Sequence, residues 1–310
     1  MRGEGAEAES RSAAPAAAEP GPLLPIVVAA CAVLAVSHGA IFARMAAAPA
    51  LAIAAWRLTF AAAAVSLALP WYGQGLRSAL KPQVLAAIAG ASACLALHFA
   101  TWIGSLEYTS VSNSVILVNT APVWVALFGR LTGTMQLSAS VLAAIGLAVA
   151  GAAIIALAGG AHAGGSVRGD LLALAGGAAM GGYLMFARAA RLQLPLVPYI
   201  FCCYAAGAAL LWLIALASGT EMRGFDGHTW LALVGIAVVP QLLGHSSYNW
   251  ALRFLHPSTV SITLLGEGIV GSALALLYFG EAIPDATWVG GPLVLAAIWL
   301  AARAEQKARA

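Results

Sequence analysis

Ten apolar stretches, each long enough to cross a bilayer, fall into two sets of five along the 310 residues. A span of about 20 apolar residues takes the chain to the opposite side of the membrane. Two tandem copies of five spans therefore have opposite orientations, whereas two copies of six would not. The predicted spans are 23–45, 49–70, 83–105, 109–129, 138–158, 168–190, 197–218, 228–251, 257–278 and 286–303. Inverted repeats are typical of secondary transporters, whose substrate site lies between the halves near mid-membrane.

The composition supports a membrane protein, because 62% of the residues are hydrophobic and 9% are charged. A soluble domain carries about 25% charged residues. The predicted fold is an all-α integral membrane protein with ten transmembrane helices, arranged as two inverted five-helix repeats around a central cavity. The predicted domains are a disordered cytoplasmic tail at 1–22, a first repeat at 23–158, a second repeat at 168–303 and a cytoplasmic tail at 304–310.

The distribution of basic residues predicts that both termini are cytoplasmic. In that orientation the inner side carries eleven of the 15 Lys and Arg residues, and the outer side carries three, Arg44, Arg168 and Arg223. Cytoplasmic loops are enriched in Lys and Arg. The loops are short and contain no Walker-type glycine loop, so the predicted energy source is a gradient of the solute or of a coupled ion. The net charge of +3 indicates no nucleic-acid partner.

An internal repeat appears when the second half is shifted back by 146 positions. Pro49 then coincides with Pro195, each just before the second span of its half. With this shift 120–123 coincides with 266–269, and with one further residue of slippage Gly133 meets Gly280. The shared order of these loop signals carries more weight than any single match, because apolar helices align easily by chance.

Several of these segments resemble the EamA module of drug/metabolite transporters, which includes an "AL" run, a "PV" pair and an "LGE" run. The matching segments are Ala251–Ser258, Leu264–Glu267, Phe279–Glu281, Ser105–Tyr108, Thr120–Val123, Gly133 and Trp56–Arg57. The chain departs from the module at Gly268, where proline is usual, and at Thr134, where glutamate is frequent. It is most similar to the bacterial aromatic amino-acid exporter group. The resemblance implies ten helices around a central cavity in the bacterial inner membrane and outward movement of amino acids or related metabolites.

Ionisable residues within spans are costly and need a partner, water or a function. His98 and Trp102, at i and i+4, share one helix face and would suit an aromatic zwitterion, or would pack within the bundle. Glu267, between two glycines, could contact a substrate amine, carry a proton or be a structural acid. Arg57 could bind a substrate carboxylate, extend to the interface or pair with an acid.

Span 8 contains the most polar run in the chain, from His245 to Trp250, and part of it must line a cavity or bridge helices. Ser247, Tyr248 and Trp250 are the candidates there, although Trp250 could instead anchor the inner interface. In span 4, Pro122 predicts a helix break, and Asn119 could contact the freed carbonyls or a substrate. Further aromatic candidates for substrate binding are Trp56 and Tyr183.

The leading functional hypothesis is a non-enzymatic secondary transporter that exports amino acids, aromatic or other neutral ones, by alternating access. Its partners would be a small-molecule substrate, the lipid bilayer and, as candidate coupling ions, protons, and the chain would be a monomer. No cofactor or metal is expected, since the four cysteines lie inside spans without metal-ligand spacing. The alternatives are a membrane-embedded enzyme acting on lipid-linked substrates and a channel-like facilitator. The scattered histidines argue against an enzyme.

Overall fold

The computed structural model describes residues 20–21, 23–108, 114, 117–134, 138–159, 166–280, 285 and 287–309, and all regular elements among them are helical. The α-helices are α1 Leu24–Val36, α2 His38–Met45, α3 Ala50–Ser66, α4 Gly73–Ala79, α5 Pro82–Ser105, α6 Ala121–Leu131, α7 Ala139–Gly159, α8 Val167–Arg191, α9 Leu196–Ala217, α10 Gly227–Ile236, α11 Ser246–Ala251, α12 Pro257–Leu264, α13 Glu267–Phe279 and α14 Thr287–Arg309. A 3₁₀ helix, Leu69–Tyr72, precedes α4, and a π-helix, Ala237–His245, joins α10 to α11. Most of the predicted N-terminal tail and the start of predicted span 4, 109–113, lie outside the described residues.

Six helical segments of the described residues are long and apolar enough to cross a membrane. They are Leu24–Met45, Pro82–Ser105, Val167–Arg191, Leu196–Ala217, Gly227–Ala251 and Pro257–Phe279. A seventh results if Ala50–Ser66 and Leu69–Ala79, which are bent by 70° relative to each other, form one broken span. These segments coincide with predicted spans 1, 3, 6, 7, 8 and 9, and the bent pair begins where span 2 was predicted. The chain is therefore a multi-pass membrane protein.

The bend after α3 lies near the end of the span that was predicted at 49–70. Helix α3 ends at Ser66, and Pro70 occupies the following 3₁₀ helix. Proline has no N–H to donate and its ring clashes with the preceding turn, so the helix cannot continue in the same direction. The continuation, α4, therefore turns away from the axis of α3.

The signals that the two halves share in sequence also share a conformation. Pro49 and Pro195 are the N-cap residues of α3 and α9, with ψ angles of 147° and 158°. Gly133 and Gly280 follow α6 and α13 with φ angles of +66° and +68°. A positive φ is readily adopted only by glycine, which ends these helices in the same way. The two repeats therefore have matching backbone geometry at two places, the start of the second span and the end of the fourth span of each half.

The equivalent helices α3 and α9 pack against each other and run antiparallel. Near the start of α3, the indole N–H of Trp56 donates to the carbonyl oxygen of Met222, beyond the end of α9, at 2.9 Å. Beyond the other end of α3, Gly75 in α4 lies against Pro195 and Pro198 at the start of α9. Opposite ends of the two helices are thus adjacent, which fixes their direction.

Helices α5 and α8, which make the most extensive contact between the halves, are also antiparallel. Close approaches along them pair Gly90 with Phe186, Cys94 with Gly182 and Trp102 with Gly176. The glycines lack a Cβ, and one built on Gly90 would lie 2.8 Å from the ring of Phe186. This close packing aligns α5, which carries two of the predicted site residues, against the second half.

The loop before α10 contains a side-chain cap. The carboxylate of Asp226 accepts a hydrogen bond from the backbone N–H of Thr229 at 2.7 Å. This bond to the charged form holds the pKa of Asp226 below its ordinary value. Because N-cap acids satisfy the free N–H groups of a first helical turn, Asp226 fixes where α10 begins.

Candidate functional site

A cavity of about 50 Å³ lies between the two sequence halves. This volume is room for several waters. Its wall consists of Val36, Arg57, His98, Phe99, Trp102, Val118, Asn119, Ala121, Pro122, Met180, His245, Ser261, Leu264, Leu265 and Glu267. Of the ten residues predicted to bind substrate, it brings together Arg57, His98, Trp102, Asn119 and Glu267, beside the predicted helix-break residue Pro122.

Arg57 is the buried cation of this cavity, with a side chain that is 1% exposed. Its Nε donates a hydrogen bond to Oε1 of Gln241 in the π-helix at 2.6 Å. Its guanidinium carbon lies 4.0 Å from the centre of the Phe99 ring, a cation–π contact. Gln241 of the second half therefore holds Arg57 of the first half. The planar guanidinium of Arg57, which has several N–H donors, faces the cavity.

His98 and Trp102 lie on the same face of α5, as their spacing predicted. Their rings stack with centroids 5.8 Å apart and an interplanar angle of 11°. Nδ1 of His98 lies 3.0 Å from the carbonyl oxygen of Gly176 in α8. Because a carbonyl oxygen only accepts, Nδ1 must be the protonated nitrogen here, which leaves Nε2 as the acceptor of a neutral ring.

His245 lies across the cavity at the end of the π-helix and is 5% exposed. Its Nδ1 is buried and has no hydrogen-bond partner. Rings surround it, with the Phe99 centroid at 5.5 Å and the Tyr183 and Tyr248 centroids each at 6.4 Å. A buried polar atom without a protein partner is uncommon, and this nitrogen can form a further hydrogen bond.

Two helices begin at the cavity wall, each directly after a two-residue turn, at positions that the internal repeat makes equivalent. In the first half, a turn at Asn119 and Thr120 precedes α6, and Pro122 occupies the first turn of that helix, where a missing N–H leaves no bond unmade. In the second half, a turn at Leu265 and Gly266 separates α12 from α13.

Glu267 is the first residue of α13, where the helix dipole favours a negative charge. In the internal repeat Thr120 corresponds to Gly266, so the two breaks match. Discontinuous helices of this kind form the substrate sites of many secondary transporters.

Tyr183, another predicted site residue, belongs to a buried hydrogen-bond network behind the cavity wall. Its hydroxyl donates to Oδ1 of Asn249 at 2.9 Å, and Nδ2 of Asn249 donates to the Tyr204 hydroxyl at 3.3 Å. The Tyr204 hydroxyl in turn lies 3.1 Å from that of Ser246. We call these four residues the tyrosine–asparagine network. Tyr248 lies beside His245 and not in the cavity wall.

Trp56 lies outside the cavity, in a cluster of aromatic rings. Its ring centroid is 5.0 Å from those of Phe60 and Trp230 and 5.1 Å from that of Trp212. Trp56 and Phe60 belong to the first half, whereas Trp212 and Trp230 belong to the second. The cluster therefore joins the halves at the end of α9 and leaves no free face of Trp56 at the cavity.

The remaining candidates, Ser247 and Trp250, also lie away from the cavity wall. The Ser247 hydroxyl donates to the carbonyl oxygen of Leu243 at 2.6 Å, one turn earlier in the same span. The Trp250 ring packs on Phe254 with centroids 4.9 Å apart. In span 8, Gln241 and His245 are the residues at the site, and neither was singled out from the sequence as a binding residue.

The cavity combines charges of both signs with aromatic faces. The guanidinium of Arg57 can bind a carboxylate through parallel N–H donors. The carboxylate of Glu267 can accept from an ammonium group, and Trp102 offers an indole to an apolar body. Among the described residues, no group of three or more His, Cys, Asp and Glu is placed to hold a metal ion. The wall thus presents a guanidinium, an acidic side chain and aromatic faces to the same space.

Comparisons with known proteins bear on the family and the fold of the chain. A family model described as the EamA-like transporter family matches residues 23–157 and again residues 167–303. An uncharacterized transporter of Archaeoglobus fulgidus is 24% identical over 199 residues, which cover 63% of this chain and 68% of that protein. A solved structure described only as "Crystal structure of protein" superimposes with a TM-score of 0.76 at 17% identity, over 91% of this chain and 99% of the other. At this identity the superposition shows a shared fold alone.

Proposed function

Because the chain belongs to the EamA-like transporter family, we propose that it exports amino acids, aromatic or other neutral ones, across the bacterial inner membrane. The family match confirms the resemblance found in the sequence, and a family and a relative described as transporters favour a non-enzyme. The narrower assignment, to the bacterial aromatic amino-acid exporters, is part of the proposal. The observation that carries it is the cavity that holds Arg57, Glu267 and Trp102 together.

In the proposed complex the cavity is wider than in this structure, where it has room for several waters. The substrate carboxylate then binds Arg57 and the substrate ammonium binds Glu267. The aromatic side chain packs on the face that His98 and Trp102 share. The unpartnered Nδ1 of His245 supports an additional hydrogen bond to the solute or to a water that accompanies it. Asn119 offers amide groups at the broken helix of the first half. His98 and Glu267 are the groups that could carry a coupled proton.

The proposed mechanism is alternating access by two inverted five-helix repeats, 23–158 and 168–303, within a monomer of ten spans. The antiparallel packing of α3 and α9 supports it, since equivalent helices of inverted repeats must run in opposite directions whereas those of parallel repeats would not. Two further observations agree: the helix breaks occur at repeat-equivalent positions, and residues of both halves line the cavity. Rocking of one half against the other would expose the cavity to each side in turn.

The proposed topology places both termini in the cytoplasm and predicts which loops are accessible. A cysteine introduced at Thr220 should react with an impermeant maleimide added to intact cells, because it follows α9 on the predicted outer side. A cysteine at Gln306, near the end of α14, should react only after permeabilisation. The reverse pattern would contradict the orientation.

The transport activity can be tested with purified protein in liposomes loaded with unlabelled L-phenylalanine. We expect the protein to accumulate radiolabelled L-phenylalanine by exchange, with saturation and with preference for the L form. An imposed pH gradient then shows whether protons are coupled. Flux of L- and D-phenylalanine at equal rates without saturation would indicate a channel-like facilitator. No flux of any amino acid tested would contradict the proposed substrate class.

A further inference from the structure

The hydrogen bond between Arg57 and Gln241 connects the two halves at the point where the substrate carboxylate is proposed to bind. Gln241 is fully buried, and Arg57 is 1% exposed. The distance of 2.6 Å between Nε and Oε1 is short for a hydrogen bond from a charged donor. In the empty site, Arg57 therefore already has an acceptor in place.

The acceptor resembles one oxygen of a carboxylate. Arg57 has only donors, so the amide of Gln241 must present its oxygen to the guanidinium. The amide nitrogen then points away from the guanidinium, and the Gln241 side chain also interacts with the Tyr204 hydroxyl. A neutral amide oxygen is a weaker acceptor for a guanidinium than a carboxylate is. The contact therefore satisfies Arg57 only until a carboxylate is present.

The backbone that carries Gln241 is also unusual. Gln241 lies inside the π-helix Ala237–His245, directly after Pro240. π-Helical turns are rare and occur frequently at functional sites. Proline lacks the N–H that would tie this turn to the preceding one. The segment that positions Gln241 is therefore less constrained than a regular α-helix would be.

We propose that Gln241 occupies Arg57 in the empty site and that a substrate carboxylate displaces it. The inference rests on the proposed binding of substrate carboxylates at Arg57 and identifies Gln241 as a specificity-determining residue for carboxylate-bearing solutes. Displacement exchanges a single neutral acceptor for a carboxylate, which can bind the guanidinium through two parallel bonds. It also breaks one hydrogen bond between the halves, so substrate binding would loosen their contact.

The proposal predicts that Gln241 competes with the substrate. If the contact holds Arg57 in about nine-tenths of the empty molecules, the apparent Kd is raised about tenfold. Replacing Gln241 by methionine removes the acceptor and keeps the length of the side chain. We expect Gln241→Met to bind L-phenylalanine about tenfold more tightly. Binding of 2-phenylethylamine, which lacks the carboxylate, should change less than twofold.

A negative charge at the same position should have the opposite effect. In Gln241→Glu the new carboxylate would pair with Arg57 and repel a second carboxylate, so L-phenylalanine should bind at least about tenfold more weakly. Leu243→Met is the matched control, because Leu243 lies in the same π-helix but its side chain is 59% exposed. It should bind both compounds as the unmodified protein does.

The experiment is isothermal titration of the purified full-length protein with L-phenylalanine, 2-phenylethylamine and phenylacetate, which retains the carboxylate but lacks the ammonium. Tighter binding of both carboxylates by Gln241→Met, with the amine unchanged, would support the inference. Equal effects on all three compounds, or no effect on L-phenylalanine, would overturn it and leave the proposed function intact. Binding of phenylacetate but not of L-phenylalanine by the unmodified protein would overturn the amino-acid assignment alone. Binding of none of the three would contradict both.

Discussion

The central cavity and the tyrosine–asparagine network both bury polar side chains within apolar spans, but they satisfy them differently. In the network, Tyr183, Tyr204, Ser246 and Asn249 are connected by hydrogen bonds of 2.9 to 3.3 Å. In the cavity, Nδ1 of His245 has no partner. Space for several waters adjoins the cavity groups, whereas the network tyrosines are at most 1% exposed.

This difference separates a binding site from a structural element. A fully satisfied buried network stabilises one packing of the helices. A cavity with unused hydrogen-bonding capacity pays a desolvation cost that a ligand can remove. Substitutions in the cavity should therefore change ligand affinity, and substitutions in the network should change stability.

The largest expected effect is at Arg57. Arg57→Gln removes the buried cation, and truncating one partner of a buried charge pair costs about 2–5 kcal/mol. We expect the Kd for L-phenylalanine to rise by about 30-fold or more, measured by titration of the purified protein. Arg77→Gln, in the exposed part of α4, is the control. Equal affinity in Arg57→Gln and the unmodified protein would remove Arg57 from the site.

A smaller effect is expected at His245. His245→Leu removes the unpartnered Nδ1 and keeps an apolar side chain against Phe99. A hydrogen bond to a neutral group contributes about 1 kcal/mol, so the Kd for L-phenylalanine should rise about fivefold. The melting temperature should remain the same or increase, because a buried unpaired atom is lost. A lower melting temperature with unchanged Kd would assign His245 to the structure and not to the site.

The network should give the opposite result. Tyr183→Phe leaves Oδ1 of Asn249 without its donor, which should reduce the free energy of unfolding by about 1–3 kcal/mol. The decrease can be measured as a lower melting temperature in detergent. The Kd for L-phenylalanine should stay within about twofold. A large loss of affinity at unchanged stability would return Tyr183 to the binding site.

The smallest effects are expected at Ser247 and Trp250. The Ser247 hydroxyl donates to the Leu243 carbonyl oxygen in the same span, and Trp250 packs on Phe254. Ser247→Ala and Trp250→Phe should each change the exchange rate of radiolabelled L-phenylalanine in liposomes by less than about twofold. A tenfold decrease in either variant, at equal protein content of the liposomes, would show that the cavity extends to this part of span 8.

Where a helix is regular, the spacing in the sequence was sufficient to predict which polar residues share a face. His98 and Trp102 share a face because α5 has uninterrupted helical spacing from Pro82 to Ser105. Pro122 predicted the helix break near Asn119, and Glu267 was evident as an acid between two glycines inside a span. A buried charge in an otherwise apolar span was enough to single out Arg57, although its partner was not evident.

Span 8 shows why the other candidates could not be chosen correctly from the sequence. Its polar run was projected as a regular helix, but Ala237–His245 is a π-helix, whose turns contain more residues. The side chains that follow the π-helix therefore point in directions other than those expected for a regular α-helix. Gln241 and His245 therefore lie at the site, while Ser247 and Trp250 do not. Trp56 lies away from the cavity for another reason, since no sequence pattern indicates that Trp212 and Trp230 of the second half would pack against it.

Ligand protection of a cysteine at Asn119 would test most directly whether the cavity is the substrate site. The four native cysteines would be replaced by alanine, and Thr220→Cys, outside the cavity, would be the control. Saturating L-phenylalanine should slow the reaction of Asn119→Cys with a small alkylating reagent at least about fivefold and leave Thr220→Cys unaffected. Unchanged reaction at Asn119→Cys, in a variant that still binds L-phenylalanine, would show that the substrate occupies another place in the molecule.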